Sequence, residues 1–163
     1  MKLKVDVKSL TEHFESMLNR ARTVDAWLNR VAYPQILKAQ KQRWITEGQS
    51  EGVPWAPIQE KTRRSKLKRF RDYPGGGRQS LIATGRLAFS MTLDGNLTSA
   101  KAGAGDHYKM VSRNRLETGT FVPYAKYVEE GGRDITTLGE ETRQKLVKNL
   151  NDYLMKGSLG LIR

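Results

Sequence analysis

The amino-acid sequence predicts an α+β fold, with two N-terminal helices, a small antiparallel β-sheet and a C-terminal helix packed on the sheet. Two observations support this prediction. Apolar residues recur at steps of three and four near both ends of the chain, and large apolar residues alternate with small or polar ones between them. The 163 residues, 37% of them hydrophobic, are enough to cover one modest core, so we expect a single domain over residues 1–163.

The first predicted helix covers residues 10–31 of a helical part that extends over 10–47. Ser9 stands three residues before Glu12, which is the spacing of a capping box at a helix start. The apolar residues of one helical stripe then follow: Leu10, Phe14, Met17, Leu18, Ala21, Leu28 and Val31. We also expect Trp27 to pack in the core.

A second helix is predicted over residues 35–47. Pro34 disfavours helical geometry at Tyr33 and suits the first turn of a new helix, and Gly48 ends that helix. Trp44 has a helical spacing that is compatible with core packing. We expect the two helices to form a hairpin or a single kinked rod.

Residues 48–80 are predicted to form a long exposed basic loop, because Gly, Pro, Lys and Arg are frequent and apolar periodicity is weak. Loops of this length inside compact domains are usually functional or disordered, which favours contact with a partner. Trp55 lies between Pro54 and Pro57 in this polar segment. An exposed tryptophan is unfavourable there unless it docks onto the same chain or onto a partner.

The sheet is predicted within residues 81–132. The alternation at 87–93 indicates a half-buried strand, followed by a turn and a return strand at 94–105 and by a third strand near 107–113. The apolar and aromatic segment at 121–132 is either a buried strand or a short helix.

The C-terminal helix is predicted over residues 137–155. Thr137 and Glu140 repeat the capping-box spacing at its start. Its apolar stripe consists of Leu138, Leu146, Leu150, Tyr153 and Leu154.

Charge and composition restrict the function. The formal net charge of +12 and the isoelectric point near 10.1 favour an anionic partner. The absence of cysteine excludes disulfides and thiolate chemistry. The N-terminal sequence MKLKVDVKSLTEHF lacks a continuous apolar stretch, and no later stretch is long enough to cross a bilayer, so we expect a soluble protein without a cleaved signal peptide.

Few residues could carry catalysis. His13 is expected at the surface of the first helix. His107 could act as a base together with Asp106, although a turn residue is the simpler interpretation. The adjacent carboxylates at 129–130 and 140–141 diverge and cannot share a substrate. We therefore expect no enzymatic activity, no metal and no cofactor.

Seven basic residues lie between positions 61 and 71, interleaved with two apolar ones. They are Lys61, Arg63, Arg64, Lys66, Lys68, Arg69 and Arg71. Such a cluster could neutralise phosphates, which would make the chain a basic nucleic-acid-binding module with salt-dependent affinity. Alternatively, it meets an acidic neighbour in an assembly, or it is a solvated loop that maintains solubility.

Three short motifs follow one another between residues 54 and 132, about half of the chain. They are PWAPIQEKTRRSK, with Trp55, Pro57, Ile58, Thr62 and Arg63; LIATGRLAFSM, with Leu81 or Ile82, Thr84, Gly85, Leu87 and Ser90; and PYAKYVEEGG, with Tyr124, Ala125, Glu130 and Gly131. In this order they resemble the virion morphogenesis family of tailed bacteriophages, which includes the tail completion proteins of Mu-like phages.

The resemblance implies a non-enzymatic structural protein of the virion, assembled in the cytoplasm of the bacterial host. Copies of the chain would form a ring, expected to be hexameric, at the head-proximal end of the tail, between the tail tube or its terminator and the neck or portal adaptor. The basic loop would contact an acidic portal or adaptor surface, or DNA that passes through the ring, and no membrane is involved. The residues expected at the assembly interface are Trp55, Pro57, Arg63, Arg64, Phe70, Tyr124 and Tyr127.

Overall fold

The computed structural model describes residues 7–71, 85–94 and 104–157, which contain helices and one two-stranded antiparallel sheet. The predicted α+β class is therefore confirmed. In chain order, the elements are α1 (Val7–Arg22), α2 (Asp25–Trp27), a π-helical turn (Leu28–Ala32), α3 (Tyr33–Ile45), a 3-10 turn (Gln49–Glu51), α4 (Glu60–Arg69), α5 (Arg86–Thr92), a second 3-10 turn (Ala104–Asp106), β1 (His107–Ser112), β2 (Arg115–Thr120), α6 (Ala125–Glu130) and α7 (Glu140–Lys156). Among the described helices, none has both the length and the apolar character needed to cross a membrane.

The break between the N-terminal helices lies at Thr23, so the prediction of one helix over 10–31 is wrong. The Thr23 hydroxyl donates to the carbonyl oxygen of Asn19 at 2.9 Å. A side chain that bonds to its own backbone in this way competes with helix continuation. A new helix starts at Asp25, whose carboxylate lies in the first turn, where it is favourable for the helix dipole.

Pro34 does not end one helix and begin another, so the helix boundary predicted between residues 31 and 35 is wrong. The segment just before it is a π-helical turn, in which the Tyr33 N–H donates to the carbonyl oxygen of Leu28. Such a turn provides local room for a residue that lacks its own N–H donor. The helix therefore continues through Tyr33 into α3, which ends at Ile45.

One apolar cluster joins α3 and α5 to the segments around Trp55, Val122 and Ile135. Its buried members are Trp44, Trp55, Leu87, Ala88, Met91, Val122 and Ile135, with Ala125 and Val128 packed against them. The Trp44 and Trp55 rings meet edge to face, with centroids 5.0 Å apart and planes at 76°. Trp44 is thus a core residue, as predicted.

A second apolar cluster joins the N-terminal helices to α7 and to the sheet. Its buried members are Trp27, Val31, Ala32 and Tyr153, surrounded by Val24, Leu28, Leu116, Leu146, Leu150 and Leu154. Leu116 belongs to β2, and the last three leucines belong to α7. Both β2 and α7 therefore contribute to this cluster, and Trp27 lies in the core, as predicted.

The segment at 87–93 is the helix α5 and not the predicted strand. Its buried residues include Leu87, Ala88 and Met91, which are spaced as one face of a helix. Gly85 precedes the helix with φ of +80°, a backbone conformation that glycine adopts at little cost. Most of the return strand predicted at 94–105 lies outside the described residues.

The sheet consists of β1 and β2, joined by a turn at 113–114. His107 pairs with Thr120 and Ser112 pairs with Arg115 at the two ends of the antiparallel register. The strand predicted near 107–113 is confirmed. Of the two alternatives for 121–132, the short helix is correct, because α6 covers Ala125–Glu130.

The start of α7 is held by a side chain from a distant part of the sequence. The helix begins at Glu140 after Gly139, and the Thr137 side chain does not cap it, so the predicted capping box is wrong. Instead, the buried carboxylate of Glu51 accepts the Gly139 N–H at 2.6 Å and the Thr142 hydroxyl at 3.2 Å. A carboxylate at this position satisfies a free amide and complements the helix dipole.

Candidate interaction surfaces

Trp55 docks onto its own chain. Its side chain is 6% exposed, and its indole Nε1 donates to the carbonyl oxygen of Asp134 at 2.8 Å. The Trp55 N–H also donates to the carbonyl oxygen of Glu47 at 2.7 Å. Trp55 is therefore not available for contact with a neighbouring copy, which corrects its expected place at the assembly interface. Pro57, two residues later, is exposed.

Asp134 connects this tryptophan to the buried Arg43. The Arg43 guanidinium donates to the Asp134 carbonyl oxygen at 2.9 Å, to its carboxylate at 3.2 Å and to the Thr137 carbonyl oxygen. Burial acts to raise the pKa of Asp134, but hydrogen bonds from Thr137 and Thr136 and the Arg43 charge together hold that pKa below its ordinary value. The arrangement ties α3 to the segment before α7 and has a structural role.

The basic run is a helix and not part of a loop. Residues 60–69 form α4, and none of these ten described residues is buried. Glu60 accepts two bonds from Arg63, at 2.6 and 2.9 Å, and one from Arg64 at 2.9 Å. These hydrogen bonds lower the pKa of Glu60 to about 2. Glu60 thus stays ionised and stabilises the first turn of the helix.

The two sides of α4 differ in burial. Lys66, Leu67 and the following Phe70 are half-buried. Burial lowers the pKa of Lys66, and the opposing charge of Glu47 only partly offsets this effect. The remaining cations of the run are exposed: Lys61, Arg63, Arg64, Lys68, Arg69 and Arg71. Phe70, expected at the assembly interface, therefore belongs to the inner side of α4, and Arg63 and Arg64 belong to its solvent-facing part.

Three exposed aromatic side chains lie within seven residues, between the end of β2 and the first turn of α6. They are Phe121, Tyr124 and Tyr127, which are 66%, 42% and 70% exposed. We call this set the aromatic surface. The Phe121 ring also packs against that of Tyr108, with centroids 5.0 Å apart. Sequence reasoning selected both tyrosines but missed Phe121, although the aromatic density of FVPYAKY indicates it.

A second exposed apolar surface lies on α1. Leu10, Phe14 and Leu18 follow one another at four-residue steps and are all exposed. The far end of α1 is fixed to α7, because Arg20 Nε donates to the carbonyl oxygen of Leu154 at 2.7 Å. His13 is exposed beside this stripe, as expected from the sequence.

His107 has structural partners and does not pair with Asp106. Its Nδ1 donates to the Ser90 carbonyl oxygen at 2.6 Å, and its Nε2 lies 2.9 Å from the Tyr33 hydroxyl, whose pKa is raised by burial. Asp106 is instead held by two bonds of 2.6 Å from Arg86. The predicted alternative in which His107 acts as a base together with Asp106 is therefore wrong.

Among the described residues, no group of three or more histidines and carboxylates is placed to hold a metal ion. Within this part of the chain, the candidate surfaces described above are two apolar ones and one basic one. The chain matches no protein-family model, no curated protein and no solved structure.

Proposed function

We propose that the chain is a structural subunit of a tailed bacteriophage, which forms a ring at the head-proximal end of the tail and joins the tail to the neck. The observation that carries the proposal is the order of the three motifs between residues 54 and 132. Each motif is short, but their succession in one chain is more specific than any of them alone.

The positions of the motif residues in the fold support this proposal. Trp55 of the first motif, Leu87 of the second and Ala125 of the third pack in or against the same apolar cluster. Ser90 is also buried, and its hydroxyl bonds with that of Thr120 at 2.7 Å. A fold shared with that family requires the apolar motif residues to share a core, and in this chain they do.

The exposed apolar surfaces support assembly with copies of the same chain. Contiguous exposed apolar groups commonly mark protein interfaces, and aromatic residues contribute most of the binding free energy there. The aromatic surface and the stripe on α1 are two different patches, so one can contact the other in a neighbouring copy. A contact of this head-to-tail kind forms a ring when the rotation between copies closes, and an open filament when it does not.

Oligomeric state tests the proposal. We expect sedimentation velocity and negative-stain microscopy of the purified chain to show a ring, with six as the expected number of copies. Replacing Tyr124 and Tyr127 together by alanine should weaken each contact on the order of tenfold or more. Val147→Ser with Met155→Ser, two exposed apolar residues of α7, is the matched control.

A chain that stays monomeric at all concentrations, both alone and with the tail-tube and neck proteins encoded beside it, would contradict the proposal. Genomic position gives a second test. We expect capsid, portal and tail-tube genes to flank the gene for this chain, and a neighbourhood without any virion gene would count against a neck protein.

A further inference from the structure

We propose that the solvent-facing side of α4 binds the phosphate backbone of a duplex nucleic acid without reading its sequence. The inference goes beyond the ring subunit described above and depends on α4 alone. It would stand even if the chain proved to be a monomer.

The first support is the placement of the cations along the helix. Lys61, Arg64 and Lys68 are separated by three and four residues, so they lie on one face and cover about 10 Å along the helix axis. All three are exposed, and the Arg64 side chain is 78% exposed despite its bond to Glu60. Arg69 and Arg71 continue the exposed charge at the C-terminal end of the helix.

The second support is what this face lacks. In α4, which is described in full, Leu67 is the one apolar residue, and it lies with Lys66 and Phe70 on the half-buried side. Protein interfaces usually contain apolar or aromatic anchors at their centre. A row of cations without such an anchor fits phosphates better than it fits an acidic protein surface.

The lack of an exposed aromatic residue on this face of α4 also favours a duplex over a single strand. Proteins that bind single strands stack the bases on aromatic side chains. The aromatic residue of this region, Phe70, is half-buried and lies beneath the Arg69 guanidinium, 5.5 Å from its ring centroid. The solvent-facing side of α4 therefore offers charge but no platform for stacking.

Glu60 provides an internal test of the electrostatics. It is the single acidic residue of α4, and it bonds to both Arg63 and Arg64 at the N-terminal end of the row. Glu60→Gln removes a negative charge and releases two guanidinium groups. If phosphates bind here, this substitution should strengthen binding several-fold.

The experiment measures the affinity of the full chain for a labelled 20-base-pair DNA duplex between about 50 and 200 mM NaCl by fluorescence anisotropy. With about four phosphate contacts, the slope of log K against log salt should be about −3.6, so that affinity falls on the order of 100-fold over this range. Replacing Lys61, Arg64 and Lys68 by glutamine should reduce the slope to about −1.

The matched control removes three exposed cations elsewhere. Lys38→Gln with Arg143→Gln and Lys148→Gln changes the net charge equally but leaves α4 intact. We expect this control to keep most of the slope. An equal loss in the control would overturn the proposal, because net charge alone would then account for the binding.

Two further probes separate the partners. Preference for poly-glutamate over the duplex would favour an acidic protein partner and would overturn the proposal. Tighter binding of a single strand than of the duplex would also overturn it. A duplex preference that is lost in the α4 variant and increased by Glu60→Gln would establish the site.

Discussion

Residues 48–59 and 60–71 are neighbours in one segment that the sequence predicts to be exposed. In the structure, the first stretch contains buried residues and the second does not. In the first stretch Trp55 and Glu51 are buried and bond to the segment before α7 and to its start. In the second stretch α4 stays at the surface. Gly and Pro occur only in the first stretch, and Lys and Arg only in the second, but this difference in composition does not by itself show which stretch is buried.

The difference lies in specific partners. Gly48 adopts φ of +87°, and a Cβ there would collide with the carbonyl oxygen of Val53, so this glycine permits the tight return of the chain. The return places Trp55 against Trp44. In α4, by contrast, charged side chains would lose hydration on burial without a matching set of partners, so they stay in water.

The largest effect is therefore expected at Trp55. Trp55→Ala should lower the free energy of unfolding by about 3–5 kcal/mol, because it removes a buried ring and the hydrogen bond to Asp134. Urea denaturation followed by circular dichroism measures the loss. Trp55→Phe, which keeps much of the ring contact, should lose clearly less.

A midpoint for Trp55→Ala that equals the wild-type value would contradict the core role of this residue. The test also distinguishes two roles for the first motif. If Trp55 acted at an assembly contact, its removal would change the oligomeric state and leave monomer stability intact. Because Trp55 is buried, we expect its removal to lower monomer stability first and to change the oligomeric state less.

The sequence could predict the fold class, the first strand of the hairpin and one tryptophan of each core, Trp27 and Trp44, because strong periodicity and large aromatic residues identify them. It failed at α5. Leu87, Phe89 and Met91 alternate, but the small Ala88 and Ser90 are buried as well. When small residues are also buried, a window of seven residues cannot distinguish a strand from a helix.

The candidate surfaces were predictable only in part. The high density of positive charge identifies the segment at residues 61–71. No local pattern shows that its residues form a helix with a half-buried inner side. The partners of Asp134 and Glu51 are about 80 to 90 residues away in the chain. Such long-range hydrogen bonds follow from the tertiary fold and leave no local spacing to detect.

The next largest effect tests this long-range cap. Glu51→Ala should cost about 1–2 kcal/mol, because the Gly139 N–H and the Thr142 hydroxyl lose their acceptor at the start of α7. Glu51→Gln keeps an acceptor but loses the charge, so it should cost less than 1 kcal/mol. Thermal and urea denaturation of both variants measure the order. Equal stability of Glu51→Ala and the wild type would show that this carboxylate does not cap α7.

The smallest effect is expected in α4. Replacing Lys61, Arg64 and Lys68 by glutamine should change the free energy of unfolding by less than about 0.5 kcal/mol, since glutamine is a good helix former and exposed ion pairs contribute little. Urea denaturation of this variant and of Trp55→Ala under the same conditions gives the free energy of unfolding for both, so the two stretches can be compared directly.

A loss above about 1 kcal/mol in the α4 variant would mean that this face packs on the chain itself, and the contrast between the two stretches would fail. The size of this change also decides how the DNA titration is interpreted. A variant that keeps its stability but loses duplex binding has lost contacts to phosphate, because its fold is unchanged. A small change in the free energy of unfolding would mean that the cations of α4 do not hold the fold together and are available to a partner. The stretch that holds Trp55 differs, because its residues stabilise the fold.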